Sequence, residues 1–231
     1  MKIQAVLFDL DNTLTHRDQS VVVYAQRFLN DFSHHLATSE LEKTVHIIRY
    51  IDNCGYPKKE RLTHPSIAAS VGQALIDTLT WNTLPKLDEL TQYWFEQFGM
   101  AAVAMQGAAD LLQYLKQENY KLAVISNGGH ATRLKILQGL GFAHYFDQII
   151  SSELVGISKP KPEIFLDTCQ RLHIQPQQAL YIGDHPVNDY AGATGAGLNA
   201  LLLNGFHENV AHIPQRIDEL KQVLDYLFLK D

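Results

Sequence analysis

The sequence predicts an α/β fold, a parallel sheet with helices on both faces, interrupted by an inserted α-helical domain. Five short apolar runs rich in β-forming residues, 3–8, 121–125, 148–150, 179–182 and 199–203, are each too short for a helix and lie beside turn or polar residues. Helical stretches separate the later runs, and strand alternating with helix predicts parallel strands buried on both faces. Residues 16–105 break that rhythm, because they carry amphipathic helical patterns and no strand signal. The expected organisation is therefore a core of 1–15 and 106–231 with a helical domain of 16–105 set into it.

Taken in order, the first run ends in Asp9-Leu10-Asp11-Asn12-Thr13, where the backbone should leave the sheet. Strand side chains alternate, so carboxylates at i and i+2 point to one side and repel unless a cation lies between them or one holds a proton. Alone, the pair reads equally well as an acidic turn capping a helix. In the insertion, Val21, Ala25, Phe28, Phe32 and Leu36 recur at helical spacing. Ser39 and Glu42 form a capping box for a helix over 41–53, which Gly55 terminates, and helices over 65–79 and 85–98 each open on a proline. The connections at 15–18 and 100–107 are short enough to act as paired hinges. Beyond them, helices are expected over 108–117, 130–140, 162–172 and 189–196.

Composition excludes several classes of function. The chain has 231 residues, 46% hydrophobic and 19% charged, which suits one sizeable core plus a smaller satellite. A net charge of −6 argues against a nucleic-acid binder, and the densest basic patch, Lys58-Lys59-Glu60-Arg61, is interrupted by an acid. Acids slightly outnumber bases in the insertion too. Asp9 and Asp11 break the first apolar run before signal-peptide length and no later stretch approaches a membrane span, so the expectation is a cytoplasmic protein without a membrane partner. Cys54 and Cys169 fit no metal or redox spacing and read as two packed, reduced thiols. The eleven histidines are scattered, with only His34 and His35 adjacent, and no zinc-binding spacing occurs.

In a doubly wound sheet the ligand site forms beyond the carboxyl ends of the strands. The residues following each strand make a coherent set there. The first strand delivers Asp9 and Asp11, the second ends in Ser126-Asn127-Gly128-Gly129, and the fourth delivers Gly183-Asp184 with Asp189 five residues on. Between the third and fourth comes Lys159-Pro160-Lys161-Pro162-Glu163-Ile164-Phe165, where each proline keeps the preceding lysine out of helical geometry.

This order of acids, hydroxyl, lysine and acids resembles the haloacid dehalogenase-like hydrolase superfamily over nearly the whole chain. Its D-x-D-x-T motif is matched by Asp9, Asp11 and Thr13. The strand-ending Ser or Thr is matched by Ser126, with its frequent companions Asn127 and Gly128. The G-x-x-K-P-x-P-x-I-F run selects Lys159 as the motif lysine, with Lys161 the second candidate, and Gly183-Asp184 with Asp189 matches the final motif. The insertion looks like the superfamily's helical C1-type cap.

What the resemblance implies is a Rossmann-like core and Mg²⁺-dependent phosphoryl transfer to water from a small phosphorylated metabolite: a nucleotide, sugar or sugar-acid phosphate. By the same resemblance, Asp9 is the nucleophile and Asp11 the proton carrier. Lys159 and Ser126, with Asn127 and Gly128, bind phosphate. The metal is held by the side chains of Asp9 and Asp184 and the backbone carbonyl of Asp11. Asp189 orients Lys159 or a metal-bound water, and Thr13 steadies the first loop.

The chemistry agrees, since an attacking carboxylate meets an anionic ester only where positive charge and N–H groups neutralise it. Dehalogenases of the superfamily generally lack the second acid, because halide leaves without a proton. Mutases keep both acids. Phosphonatases use a cap amine, for which Lys43, Lys58, Lys59 and Lys86 are available. A silent phospholigand-binding regulator would be marked by lost acids, and none is lost. Substrate choice falls to the cap, with His16, Arg17, Arg49, Tyr56, Lys58 and His64 as candidates, and to Asn127, Gly129, His130 and Arg133 at the phosphate end.

Overall fold

In the computed structural model, which describes residues 1–230, the chain opens on β1 (Ala5–Phe8) and enters the helices α1 (Arg17–Asp31), α2 (Leu41–Asp52), α3 (Ile67–Thr78) and α4 (Leu87–Gln97). It continues through α5 (Ala108–Gln117), β2 (Lys121–Ser126), α6 (His130–Gly139), β3 (Gln148–Ser151), α7 (Ser152–Val155), α8 (Pro162–Arg171) and β4 (Ala179–Gly183). A stretch of π-helix at Pro186–Ala191 runs into α9 (Gly192–Gly195), followed by β5 (Asn199–Leu203), β6 (Arg216–Ile217) and α10 (Gln222–Lys230).

All strand pairs are parallel, in the order β3-β2-β1-β4-β5-β6. Phe8 is level with both Val124 of β2 and Ile182 of β4, so the carboxyl ends of the three central strands open together. The chain order reverses at β1, and such a switch point leaves a crevice beyond the strand ends.

Period-two alternation decides what each face buries. Val6 and Phe8 join Leu122, Val124, Leu180 and Ile182 in one cluster with the apolar sides of α5 and α10. Ala5 and Leu7 join Ile125 and Tyr181 in another, against Ile164, Phe165 and Cys169 of α8. A third buried cluster lies wholly in the segment between β1 and α5 and includes Tyr24, Phe28, Ile48, Val71 and Trp94. Tyr24 and Trp94 meet edge to face at 4.9 Å, an arrangement aromatic quadrupoles favour.

The two connections to this helical unit are hydrogen-bonded to each other. His16 N–H donates to Val103 O and Met105 N–H to Leu14 O, each at 2.8 Å. None of the described helices is long and apolar enough to cross a membrane.

Several local expectations are corrected. No Ser39–Glu42 capping box forms; Glu40 is the N-cap residue of α2 and makes no side-chain cap bond. The left-handed residue ending α2 is Asn53 (φ 46°), ahead of Gly55. Pro65 and Pro85 stand two residues before their helices, because Ser66 takes the cap position of α3 and accepts from Ala69 N–H, and Lys86 that of α4. The expected helix over 189–196 begins earlier, at Pro186, as π-helix. Cys169 is buried as expected, but Cys54 is exposed at φ 56° in the turn after α2. Neither β6 nor α10 was expected: two residues are too few for a periodic signal, and the helix follows an irregular polar stretch.

Candidate active site

Asp9 is the first residue beyond β1, pinned by its N–H to Ile182 O at 2.8 Å and 4% exposed. Lys159 crosses to it from the loop before α8, with Nζ 2.5 Å from Asp9 Oδ1, 2.6 Å from Asp189 Oδ1 and 2.9 Å from Tyr181 Oη. The lysine backbone is fixed by Asn127, whose Oδ1 accepts Lys159 N–H at 2.9 Å and whose Nδ2 donates to Lys159 O at 3.0 Å. Lys161, one residue past Pro160, is exposed at the start of α8 and does not line the site.

From β4 come Asp184 and, one turn of π-helix on, Asp189. Asp189 Oδ2 accepts His185 N–H at 2.9 Å, and Oδ1 accepts from Tyr181 Oη at 3.0 Å. Asp184 Oδ1 accepts from Tyr56 Oη of the helical insertion at 3.3 Å, and Oδ2 lies 3.0 Å from His207 Nε2. One carboxylate oxygen each from Asp9, Asp184 and Asp189 lies within 4.8 Å of the others, all three residues buried.

Burial raises the Asp9 carboxyl well above its ordinary pKa, Lys159 pulls it back, and Asp189 and Asp184 push it up again. Asp184 is also raised, by burial first. Burial alone would lower Lys159, but Asp189 and Asp9 lift it to about 12. Three carboxylates against one ammonium crowd negative charge in a buried site. A hard divalent cation with oxygen ligands fits that charge and that donor set, as Mg²⁺ does.

Asp11 is separate from this group. Arg17 Nη1 bonds to its Oδ1 at 2.7 Å, and Arg133 Nη1 bonds to its Oδ2. Burial would raise the Asp11 carboxyl, yet the two guanidiniums outweigh it and hold it at about 2. Arg17, first residue of α1, is clamped through Nε and Nη2 by Asp52 at the end of α2. A cavity of about 160 Å³ joins the two groups; Asp9, Asp11, Ser126, Lys159, Arg17 and Arg133 line it, and Tyr56 closes it from the insertion.

Other expected residues fall differently. Gly128 N–H donates to Ser152 Oγ at 2.9 Å, so that amide is not turned toward a phosphate; the residue instead leaves room for Arg133. Thr13 is fully buried, but its hydroxyl has no partner among the described residues, and Thr15 Oγ1 makes the loop's bond to Leu10 O at 3.0 Å. Asp189 stands within the carboxylate cluster as well as against Lys159. Of the substrate candidates, Arg17, Tyr56, Asn127 and Arg133 line the cavity, whereas His16, Arg49, Lys58, His64, Gly129 and His130 do not. Tyr181, His207 and Asp52 were not singled out. A tyrosine in the middle of an all-apolar strand is the one signal that pointed to Tyr181; Asp52 and His207 look like ordinary helix-end and loop residues.

A sequence model of the haloacid dehalogenase-like hydrolases matches residues 3–197. A glyceraldehyde 3-phosphate phosphatase of Methanothermobacter thermautotrophicus is 38% identical over 90 residues, a match spanning 39% of this chain and only 40% of that protein. A phosphoglycolate phosphatase of Psychrobacter arcticus is 24% identical over 98% of this chain and 96% of its own length. Among solved structures, the magnesium-bound hydrolase YfnB of Bacillus subtilis superposes with a TM-score of 0.73 at 23% identity, covering 98% of this chain and 99% of that one, a likeness of fold.

Proposed function

The chain belongs to the haloacid dehalogenase-like hydrolases, and from that premise we propose that it hydrolyses a small phosphate monoester in two steps through Asp9. The observation that carries the reading is the split between the carboxylates. Asp9 sits with Asp184, Asp189 and Lys159, while Asp11 lines the same cavity held apart by Arg17 and Arg133. One acid is thereby equipped to attack and the other to move protons.

In the first step an Asp9 oxygen bonds to phosphorus as the bond to the ester oxygen breaks, and Asp11, which takes up a proton once the bound substrate draws Arg17 and Arg133 from its oxygens, gives that proton to the departing alcohol. In the second, water attacks the phosphoaspartate, Asp11 accepts its proton, and inorganic phosphate and the Asp9 carboxylate are released. Lys159 and the Ser126 hydroxyl hold the non-bridging oxygens as charge develops. Asp9 and Asp184, with the backbone carbonyl of Asp11 and with Asp189 alongside, would hold Mg²⁺, which supplies charge neutralisation when bound.

Halide release uses no proton, so a dehalogenase has no task for Asp11. The phosphonatase reading lacks its amine, since none of Lys43, Lys58, Lys59 and Lys86 lines the cavity. The test is turnover of p-nitrophenyl phosphate with Mg²⁺ by the full chain. Activity should vanish in Asp9→Asn and in excess chelator, and full activity in either would overturn the mechanism.

A further inference from the structure

Two guanidiniums beside one catalytic carboxylate are more than a proton carrier needs. Arg17, from the inserted helices, bonds one oxygen of Asp11, and Arg133, from α6, bonds the other; both line the cavity. Their side chains are only 7% and 11% exposed, so neither is a solvated surface charge. Arg17 is held on three sides: by Asp52 through Nε and Nη2, by Asp11 through Nη1, and by the face of Phe98 at 4.9 Å. Arg133 is less satisfied. Its Nε is buried and finds no acceptor among the described residues. A buried guanidinium donor without a partner is costly unless something it binds supplies the acceptor.

The position of that acceptor follows from the reading above, on which this inference rests. If Asp11 protonates the leaving oxygen, the group carrying that oxygen lies against Asp11, and so against Arg17 and Arg133. The phosphoryl group lies at the other end, against Asp9 and Lys159. The cavity is also small. About 160 Å³ is room for roughly five waters at ~30 Å³ each, whereas drug-sized ligands occupy pockets of about 300–1,000 Å³.

We infer that Arg17 and Arg133 are specificity-determining residues that bind a carboxylate on the leaving group, so that the substrate is the phosphate monoester of a two- or three-carbon hydroxy acid. Planar guanidiniums match carboxylates; Arg17 already holds Asp52 in a bidentate fork, and Arg17 and Arg133 each give Asp11 one Nη1 contact, one to each carboxylate oxygen. Asp52 is the positioning residue that keeps Arg17 aimed at the cavity.

The experiment compares kcat/KM of the full chain with Mg²⁺ on 2-phosphoglycolate, ethyl phosphate and adenosine monophosphate. Ethyl phosphate keeps the size and lacks the carboxylate; the nucleotide exceeds the cavity. The expected preference for phosphoglycolate over ethyl phosphate is at least on the order of 10²-fold, since sites built around a polar partner reject analogues lacking it by up to about 10⁴–10⁵. Arg133→Gln and Arg17→Gln should each shrink that ratio at least tenfold. Should Arg17→Gln fail to fold, Arg133→Gln alone decides, together with calorimetric binding of phosphonoacetate against ethylphosphonate to Asp9→Asn. A wild-type ratio near one, a ratio unchanged in Arg133→Gln, or adenosine monophosphate as the best of the three overturns the inference while leaving the hydrolase reading intact. Failure to hydrolyse any ester, p-nitrophenyl phosphate included, overturns both.

Discussion

Arg17 and Asp52 form a two-point ion pair that joins the first residue of α1 to the last residue of α2, with Nε to Oδ2 at 2.9 Å and Nη2 to Oδ1 at 2.6 Å. Asp52 is 1% exposed. Removing one member of a buried pair leaves the other uncompensated, which typically costs about 3–5 kcal/mol. Asp52→Ala should lose stability on that scale in urea unfolding, and it should also lower kcat/KM, because Arg17 loses its anchor beside Asp11. A variant within about 1 kcal/mol of wild type would mean that the guanidinium finds water or a new partner.

Gly128 occupies the space on which Arg133 depends. Its φ is +134°, and a Cβ there would overlap Arg133 Nη2. Gly128→Ala should therefore push the guanidinium off Asp11 and strain the backbone, costing about 1–3 kcal/mol and at least tenfold in turnover of an aryl phosphate. Gly156 is the control, since its φ is +70° but nothing lies within 4 Å of an added Cβ. Gly156→Ala should cost about 1–2 kcal/mol of backbone strain and leave turnover unchanged. Equal kinetic effects in the two variants would remove the steric argument.

The sheet was legible because its strands are buried on both faces, which writes short apolar runs into the chain, and because turn residues bound them. Asp9, Asp11, Lys159, Asp184 and Asp189 were legible for another reason: strand ends put chemistry at fixed offsets from those runs. The residues that were hidden act through partners remote in sequence. Tyr181 reads as core because its ring is core, and only the β4 register turns its hydroxyl to Lys159 and Asp189. Asp52 reads as a helix-end acid until α1 is packed beside it. His207 lies in an irregular loop after β5, where nothing periodic marks its approach to Asp184. The capping box failed for a local reason, as Glu40 stands where Ser39 would have to cap.

On the proposed reading, crowding of Asp9, Asp184 and Asp189 should make divalent-cation binding measurable even without turnover. A ligand that binds only the folded state stabilises it by about 2.7 kcal/mol at a hundred times its Kd. For a chain of this size that is a rise of roughly 5–10 °C in the melting temperature. Mg²⁺ should produce such a rise in calorimetry. Asp184→Asn removes one of the three crowded charges, so it should melt no lower than wild type in chelator and gain nothing from Mg²⁺. An undiminished Mg²⁺ shift in that variant would place the cation elsewhere.

The Asp11 clamp has a pH signature whose sign is opposite to that of its neighbours. Arg17 and Arg133 overcome the effect of burial and hold the Asp11 carboxyl at about 2 in the fold, below the ~3.9 of an unfolded aspartate. A depressed pKa contributes stability that is fully present above the unfolded value and lost as pH falls through the folded one. The window is therefore about pH 4 to pH 2, and the amount is about 2–3 kcal/mol. Asp9 and Asp184, whose carboxyls are raised mainly by burial, work the other way, because protonating them relieves the folded state. Comparison with Asp11→Asn isolates the clamp. The stability difference between wild type and that variant, measured by urea unfolding in chelator, should be constant from pH 7 to about pH 5 and fall by roughly half its pH-dependent part by pH 3. A difference that stays flat down to pH 3 would mean that the two arginines do not hold Asp11 in solution, and the carboxylate-reading role of Arg17 and Arg133 would lose its geometric basis.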